Sequence, residues 1–334
     1  MADARRVIVT GATGLIGRKV CAKLEARGYR VVVFSRNPEA ARRTMRNGSE
    51  FVAWTSAEDG PWAAAIDGTH AVIHLAGANN FAQRWSQAYK QEIKNSRVIG
   101  TRGIVNAMRK ANLKPKVFVS ASAIGYYGPR DATELDESAS PGNDFLAEVV
   151  KEWEAEAAKA EQLGIRTVLL RTGVVIGSDK RGVGLPLDLK GASLKRPGVV
   201  LDFENGALPL MALPFRLFVG GPIGSGNQWF PWVHLEDEVG LIMLALENEQ
   251  VRGPLNATAP ETVTNKEFSK ALGRVMNRPS WLPVPAFALR VMLGEIANML
   301  TEGQRVVPRK AQELGYQFKY PTVDSALRAL FNRK

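Results

Sequence analysis

One stretch near the start of the chain limits what the rest can fold into: Val7-Ile8-Val9-Thr10-Gly11-Ala12-Thr13-Gly14-Leu15-Ile16-Gly17. A short β-branched run leads into glycines spaced G-x-x-G-x-x-G. An amphipathic segment follows from Leu15 to about Leu24. Strand, tight turn and helix start fit that order. Such a turn suits anion binding. Backbone can approach a pyrophosphate only where no Cβ intervenes, and a helix N-terminus adds free N–H groups and a positive dipole end. A second strand, Arg30 to Ser35, comes after Gly28. That context reads as a dinucleotide site, with Gly11, Thr13, Gly14, Leu15, Ile16 and Gly17 around the phosphates. A glycine turn that only packs a helix on a strand is the plainer alternative.

Strand and helix patterns alternate through the first half. Strands are predicted at 6–10, 30–35, 51–54, 71–75, 116–120 and 166–171, and helices at 15–27, 38–46, 86–112 and 145–163. Alternation of this kind implies a parallel sheet with helices on both faces. The expected class is α/β: a Rossmann-like, doubly wound parallel sheet with a smaller, mostly helical C-terminal substrate region. The nucleotide domain is expected over 1–173, its sheet completed by segments near 229–257. Residues 174–334 form the rest. The ligand crevice of such a fold lies beyond the C-terminal ends of its strands.

The second predicted strand ends Phe34-Ser35-Arg36-Asn37. An acidic residue near this place would hold the ribose 2′-OH of NAD. None is present, and Arg36 stands beside Ser35. A guanidinium can pair with a 2′-phosphate in forked geometry, so the expected cofactor is NADP(H). Arg42 and Arg43 could add charge, but at this distance read as helix-surface residues. Leu75-Ala76-Gly77 follows the fourth strand, where small residues let backbone lie along the cofactor's ribose. His74 before them reads as a satisfied strand-end histidine.

The 334 residues carry 44 Lys and Arg against 33 Asp and Glu, a net charge of +11. The cations are scattered, which suits a solvated basic surface or a field that draws anionic ligands. No basic-aromatic module points to nucleic acid. The single cysteine, Cys21, falls within the first helix and reads as a packing residue, consistent with a reducing, cytoplasmic setting. No signal peptide or unbroken apolar span is seen, so no membrane association is expected. The three histidines, His70, His74 and His234, show no ligand spacing, and no metal site is expected.

The fifth strand runs into Ser120-Ala121-Ser122-Ala123-Ile124-Gly125-Tyr126-Tyr127-Gly128. With the glycine triplet, Leu75-Ala76-Gly77 and Gly100-Thr101, the chain resembles the extended short-chain dehydrogenase/reductase superfamily of NAD-dependent epimerases and dehydratases. It is more similar to an atypical branch, the epimerase family proteins sometimes labelled SulA-like. The likeness lies in Ser96 through Thr101, Gly125 through Gly128, Trp153-Glu154, Arg171-Thr172-Gly173, Gly220 through Gly226, Trp229 through His234 and Leu282 through Phe287. The C-terminal stretch Lys310 to Pro321 resembles that branch's domain of unknown function. The resemblance implies that Arg171 lies near the nicotinamide half of the cofactor.

The superfamily's chemistry uses a Ser or Thr with a Tyr-x-x-x-Lys pair, the Lys tuning the phenol that exchanges a proton while hydride moves. Ser122 matches the serine. By the surrounding residues, the tyrosine position falls at Phe145 and the lysine position at Val149; Lys151 has Ala147 four residues before it. The paired acid–base group is missing. Tyr126 and Tyr127 are candidate substitutes, with Ser122 and Tyr127 the preferred catalytic pair. Both tyrosines could equally be packed rings. Glu137 and Asp144 are weaker candidates, read first as loop solvation or helix capping.

Residues 178–206 are rich in Gly, Pro, Lys and Asp and read as an inserted loop near the crevice. Trp229, Trp232 and His234 could line a substrate pocket or form core. The stretch 287–300 is expected as one helix, apolar on more than one side, buried or in a homodimer contact. The leading expectation is an NADP(H)-binding oxidoreductase or epimerase-like protein acting on a small molecule. The rival is a non-catalytic NADP(H)-binding sensor.

Overall fold

The computed structural model describes residues 5–45, 49–57, 59–177 and 208–331. The expected inserted loop at 178–206 lies outside them. The first half alternates as read: β1 (Arg6–Thr10), α1 (Leu15–Ala26), β2 (Arg30–Ser35), α2 (Pro38–Met45), β3 (Glu50–Ala53), β4 (Ala71–His74), α3 (Gln87–Lys110), β5 (Val117–Ala123), α4 (Phe145–Ala158) and β6 (Arg166–Thr172). Then come β7 (Val174–Ile176), α5 (Leu208–Arg216), β8 (Trp232–His234), α6 (Leu235–Glu247), β9 (Gly253–Ala257), α7 (Asn265–Met276) and α8 (Ala286–Leu293).

Seven strands form one sheet in the order β9-β6-β5-β4-β1-β2-β3, with every neighbour parallel. The order reverses at β1, between β2 and β4. A doubly wound sheet opens its ligand crevice at that point. β-branched runs such as Arg30-Val-Val-Val-Phe-Ser35 suit strands buried on both faces. Val7, Val9, Val31 and Val33 face α1 and α6, packing with Val20, Cys21, Leu24 and Ile242. Ile8, Val32, Val72 and Phe118 face α3, against Ile104 and Met108. A third cluster in the C-terminal half gathers Phe215, Trp232, Phe268, Leu272 and Leu327.

Of the 229–257 segment, only β9 joins the main sheet, against β6. β8 instead pairs with β7, and Trp229–Phe230 with Val263–Thr264. The helix expected over 287–300 is broken. α8 stops at Leu293, and Gly294 takes φ +65°. That positive φ favours glycine and does not continue a helix. Phe287, Val291 and Met292 on α8 are exposed. α4 also ends earlier than read, at Ala158, before a short 3-10 turn at Glu161–Leu163.

Candidate functional site

The glycine turn builds its own cradle. Gly14 N–H donates to Gly11 O at 3.0 Å, and Gly11 sits at φ +65°. A Cβ at Gly11 would stand 2.8 Å from the Leu75 carbonyl carbon, and one at Gly17 only 2.3 Å from Gly11 O. Both glycines therefore permit close packing: loop against loop, and helix against loop. Gly14 precedes α1 with no side-chain cap, and Arg18 N–H makes a helical bond back to Gly14 O. The amides of Leu15, Ile16 and Gly17 thus belong to the first turn, whose N–H groups lack helical acceptors and suit an anion. Thr13 and Gly14 are exposed at the mouth.

The facing wall is fixed by one hydroxyl. Thr10 Oγ1 accepts from the amides of Leu75 and Ala76, each at 3.1 Å, and lies 2.8 Å from His74 Nδ1. With both amides donating to it, the hydroxyl proton goes to Nδ1, so the imidazole is neutral. Burial pushes the His74 pKa down to about 4, in the same direction. His74 is a strand-end anchor that shapes the Leu75-Ala76-Gly77 wall. Ala78 N–H donates to Ser96 Oγ at 3.0 Å, tying this loop to α3.

At the end of β2, Ser35 Oγ accepts from Asn37 N–H at 3.2 Å, and Asn37 Oδ1 accepts from Ala40 N–H at the start of α2. Arg36 projects from this turn, exposed, with no hydrogen bond or ion pair among the described residues. Arg42 is committed elsewhere: it pairs with Glu39 at 2.7 Å and stands over the Phe51 ring.

Sequence reading overlooked Arg97. It lies on α3, partly buried, over the face of Trp153. Burial lowers its pKa to about 10, so it stays charged at neutral pH. Gly77 makes room for it: a Cβ there would stand 3.3 Å from the Arg97 Cζ. A long cation on an amphipathic helix reads as a solvent-facing residue, and only the tertiary neighbours reveal otherwise.

The expected catalytic residues form a different kind of place. Ser122 lies on the β5 face that carries Phe118 and Ser120, and its hydroxyl donates to Glu154 Oε1 at 2.5 Å. Glu154, on α4, accepts a bidentate pair from Arg171: Nε to Oε1 and Nη2 to Oε2, both 2.8 Å. Arg171 Nη1 donates to the Tyr127 hydroxyl at 3.0 Å, which donates to Asn256 Oδ1 at 2.7 Å. Asn256 Nδ2 completes the chain on the Val307 carbonyl. Ser122, Tyr127, Glu154, Arg171 and Asn256 are all buried, Tyr127 completely. Burial pushes the Tyr127 phenol up to about 12, with Arg171 and Asn256 pulling the other way.

Three residues expected at the site are held within the fold. Ser122 and Tyr127 are buried in this chain, and the Arg171 guanidinium is engaged on all three nitrogens. Tyr126 lies half-buried, with Arg171 Cζ 3.5 Å from its ring centroid. Asp144 caps α4, Oδ1 accepting from Ala147 N–H at 2.7 Å. Glu137 accepts from Asn256 N–H and Lys310 N–H, joining β9 to the C-terminal segment.

Phe145 opens α4 beside Trp85, ring centroids 5.5 Å apart, with Lys90 Nζ 5.1 Å from its ring. Val149 is buried and Lys151 is exposed. Trp232 is core, and His234 accepts from Glu236 N–H at the start of α6 while its ring lies 3.9 Å from that of Tyr320. Trp229 is half-buried beneath Arg305.

Comparison with known proteins follows this division of the chain. Residues 7–257 match the model of the NAD dependent epimerase/dehydratase family, and residues 284–330 match a domain of unknown function, DUF1731. The chloroplastic SDR39U1 homolog of Arabidopsis thaliana is 41% identical over 97% of this chain and 86% of its own length. The epimerase family protein YfhF of Bacillus subtilis is 37% identical over 97% of both chains. Among solved structures, the human epimerase family protein SDR39U1 (isoform 2) with NADPH superposes with a TM-score of 0.80 at 34% identity, over 98% of this chain and all of that one. A Bacillus cereus UDP-glucuronic acid 4-epimerase shares the fold at 16% identity, TM-score 0.73. The chain belongs to the NAD-dependent epimerase/dehydratase family, in a form whose C-terminal region carries the DUF1731 domain.

Proposed function

We propose that this protein binds NADP(H) and carries out epimerase- or oxidoreductase-type chemistry on a small molecule in the crevice beyond β1, β4, β5 and β6. The observation that carries the cofactor reading is Arg36. It is exposed at the end of β2, without a partner among the described residues, in a chain whose glycine cradle leaves no room for a Cβ at Gly11 or Gly17. The first-turn amides of α1 would hold the pyrophosphate, the Leu75-Ala76-Gly77 wall the ribose, and Arg36 the 2′-phosphate. The human relative crystallised with NADPH supports the same cofactor. When bound, the cofactor would supply hydride. The chain's own residues bind it, orient it and wall off water.

The test is the ratio of NADPH to NADH affinity by calorimetry, wild type against Arg36→Ala. A charge-assisted contact contributes about 1.5–3 kcal/mol, so the ratio should fall by about 10- to 100-fold. An unchanged ratio sinks the 2′-phosphate assignment.

One observation favours a second reading, a non-catalytic NADP(H) sensor. Phe145 replaces the phenol, and the hydroxyls of the preferred pair, Ser122 and Tyr127, are hydrogen-bonded to Glu154 and Asn256. Turnover against a panel of carbonyl compounds and nucleotide sugars separates the two. Any substrate oxidised, reduced or epimerised supports the enzyme, while tight NADPH binding with none turned over supports the sensor.

A further inference from the structure

We propose that Arg97 is the seat of an oxyanion site in the crevice, receiving a phosphate or carboxylate group. The guanidinium is drawn in beneath the β4 loop, yet no carboxylate lies within ion-pairing distance among the described residues. Its hydrogen-bond partners are neutral: Nη1 donates to the Ile93 carbonyl and Nη2 to Asn80 Oδ1, both at 3.1 Å. These use only part of its five N–H donors.

Two other half-buried or buried arginines show what compensation looks like. Arg171 has the bidentate Glu154. Arg166 donates to the carbonyls of Ala245, Leu246 and Val251, at and just beyond the negative end of α6. Arg97 has neither. The Ile93 carbonyl lies inside α3, not at its end. A charge taken out of water without a counter-charge is costly. A ligand oxyanion would remove that cost, and the forked guanidinium suits it.

The position gives that oxyanion two sources. Leu75 and Ala76 touch the glycine loop through Gly11, and Gly77 next to them touches Arg97. A dinucleotide lying along this wall would bring its pyrophosphate within the arginine's side of the crevice. A substrate entering beside the cofactor would bring a carboxylate or phosphate of its own. The first source rests on the NADP(H) reading above; the second needs only the site.

The experiment uses Arg97→Gln and Arg97→Lys in the full chain. NADPH and NADH are titrated by calorimetry. Inorganic phosphate and malonate are then titrated into NADPH-saturated protein. If the oxyanion is the cofactor's, Arg97→Gln weakens NADPH and NADH by the same factor, about 10- to 100-fold, leaving unchanged the ratio that Arg36 controls. If it is the substrate's, dinucleotide affinities hold, while phosphate or malonate binds wild type and not Arg97→Gln.

Arg97→Lys keeps the charge but loses the fork and should fall between. Added salt should narrow the gap between wild type and the Gln variant. The proposal is overturned if Arg97→Gln binds every probe as wild type does. It is equally overturned if Gln and Lys lose affinity only in step with lost thermal stability. Failure of wild type to bind either dinucleotide overturns the cofactor reading instead; phosphate and malonate titrated into the free protein would then decide the site.

Discussion

The glycine cradle and the Ser122–Tyr127 cluster lie at the same edge of the sheet, yet they are opposite kinds of polar structure. Around Gly14 the helix N-terminus has no side-chain cap, and Arg36 has no partner among the described residues. Around Arg171 a hydroxyl, a carboxylate, a guanidinium, a phenol and an amide are joined in one buried chain. A group whose hydrogen-bonding capacity is already used inside the protein cannot also grip a ligand without breaking something. The first region leaves hydrogen-bonding groups unspent, and the second spends them joining β5, α4, β6 and β9. Residue type alone does not distinguish them, since both are rich in groups that do chemistry elsewhere.

The strongest way to break this contrast is to break the pair at the centre of the sealed cluster. Arg171→Met leaves Glu154 buried without its counter-charge. Losing one partner of a buried pair costs roughly 3–5 kcal/mol. Chemical denaturation should show that loss, while the folded fraction binds NADPH with wild-type affinity. A variant of normal stability with lost NADPH affinity would return Arg171 to the cofactor site.

One strand end away, Glu238 sharpens the comparison because it is buried but incompletely satisfied. Thr172 Oγ1 lies 2.8 Å from Oε1, and Oε2 has no hydrogen-bond partner among the described residues. Burial raises its pKa to about 8, from an ordinary 4.5. The folded protein therefore holds a proton that the unfolded chain has released between those values. Stability from this group is greatest below about pH 4.5 and is lost as pH rises towards 8. Glu238→Gln removes the titration, and should be more stable than wild type at pH 8, with a ceiling of roughly 4 kcal/mol, and nearly equal at pH 4.5. Denaturation midpoints across that range that move in parallel for the two proteins would refute it.

Much of the binding half was legible because backbone requirements write themselves into sequence. β-branched runs fix the bounds of β1 and β2, and glycines mark where backbones touch. The sealed half was harder to read. β5 continues through Ala121, Ser122 and Ala123 because β6 pairs with it as far as Thr172, although small residues weakly favour strand. Once the strand is that long, alternation puts Ser122 under α4 with Phe118. Glu154 in mid-helix reads as a surface acid, and only the arrival of Arg171 from another strand makes it core. Arg97 is hidden for the same reason, its burial supplied by Trp153 and the space at Gly77.

The smallest expected effect tests the division most sharply. Tyr127→Phe keeps the ring in place and removes only the hydroxyl. Asn256 Oδ1 then loses its donor and Arg171 Nη1 an acceptor, though Nη1 still lies 3.4 Å from the Glu137 carbonyl. One buried hydrogen bond of this kind should cost about 1–2 kcal/mol of stability. NADPH affinity should not change, nor should turnover on any substrate found. A catalytic phenol predicts the reverse: stability nearly intact and turnover reduced about 100-fold or more. With the phenol pushed up to about 12, any wild-type activity should also show no titration assignable to Tyr127 near neutral pH. Unfolding and turnover measured on this one variant therefore decide whether the hydroxyl stabilises the fold or serves the chemistry.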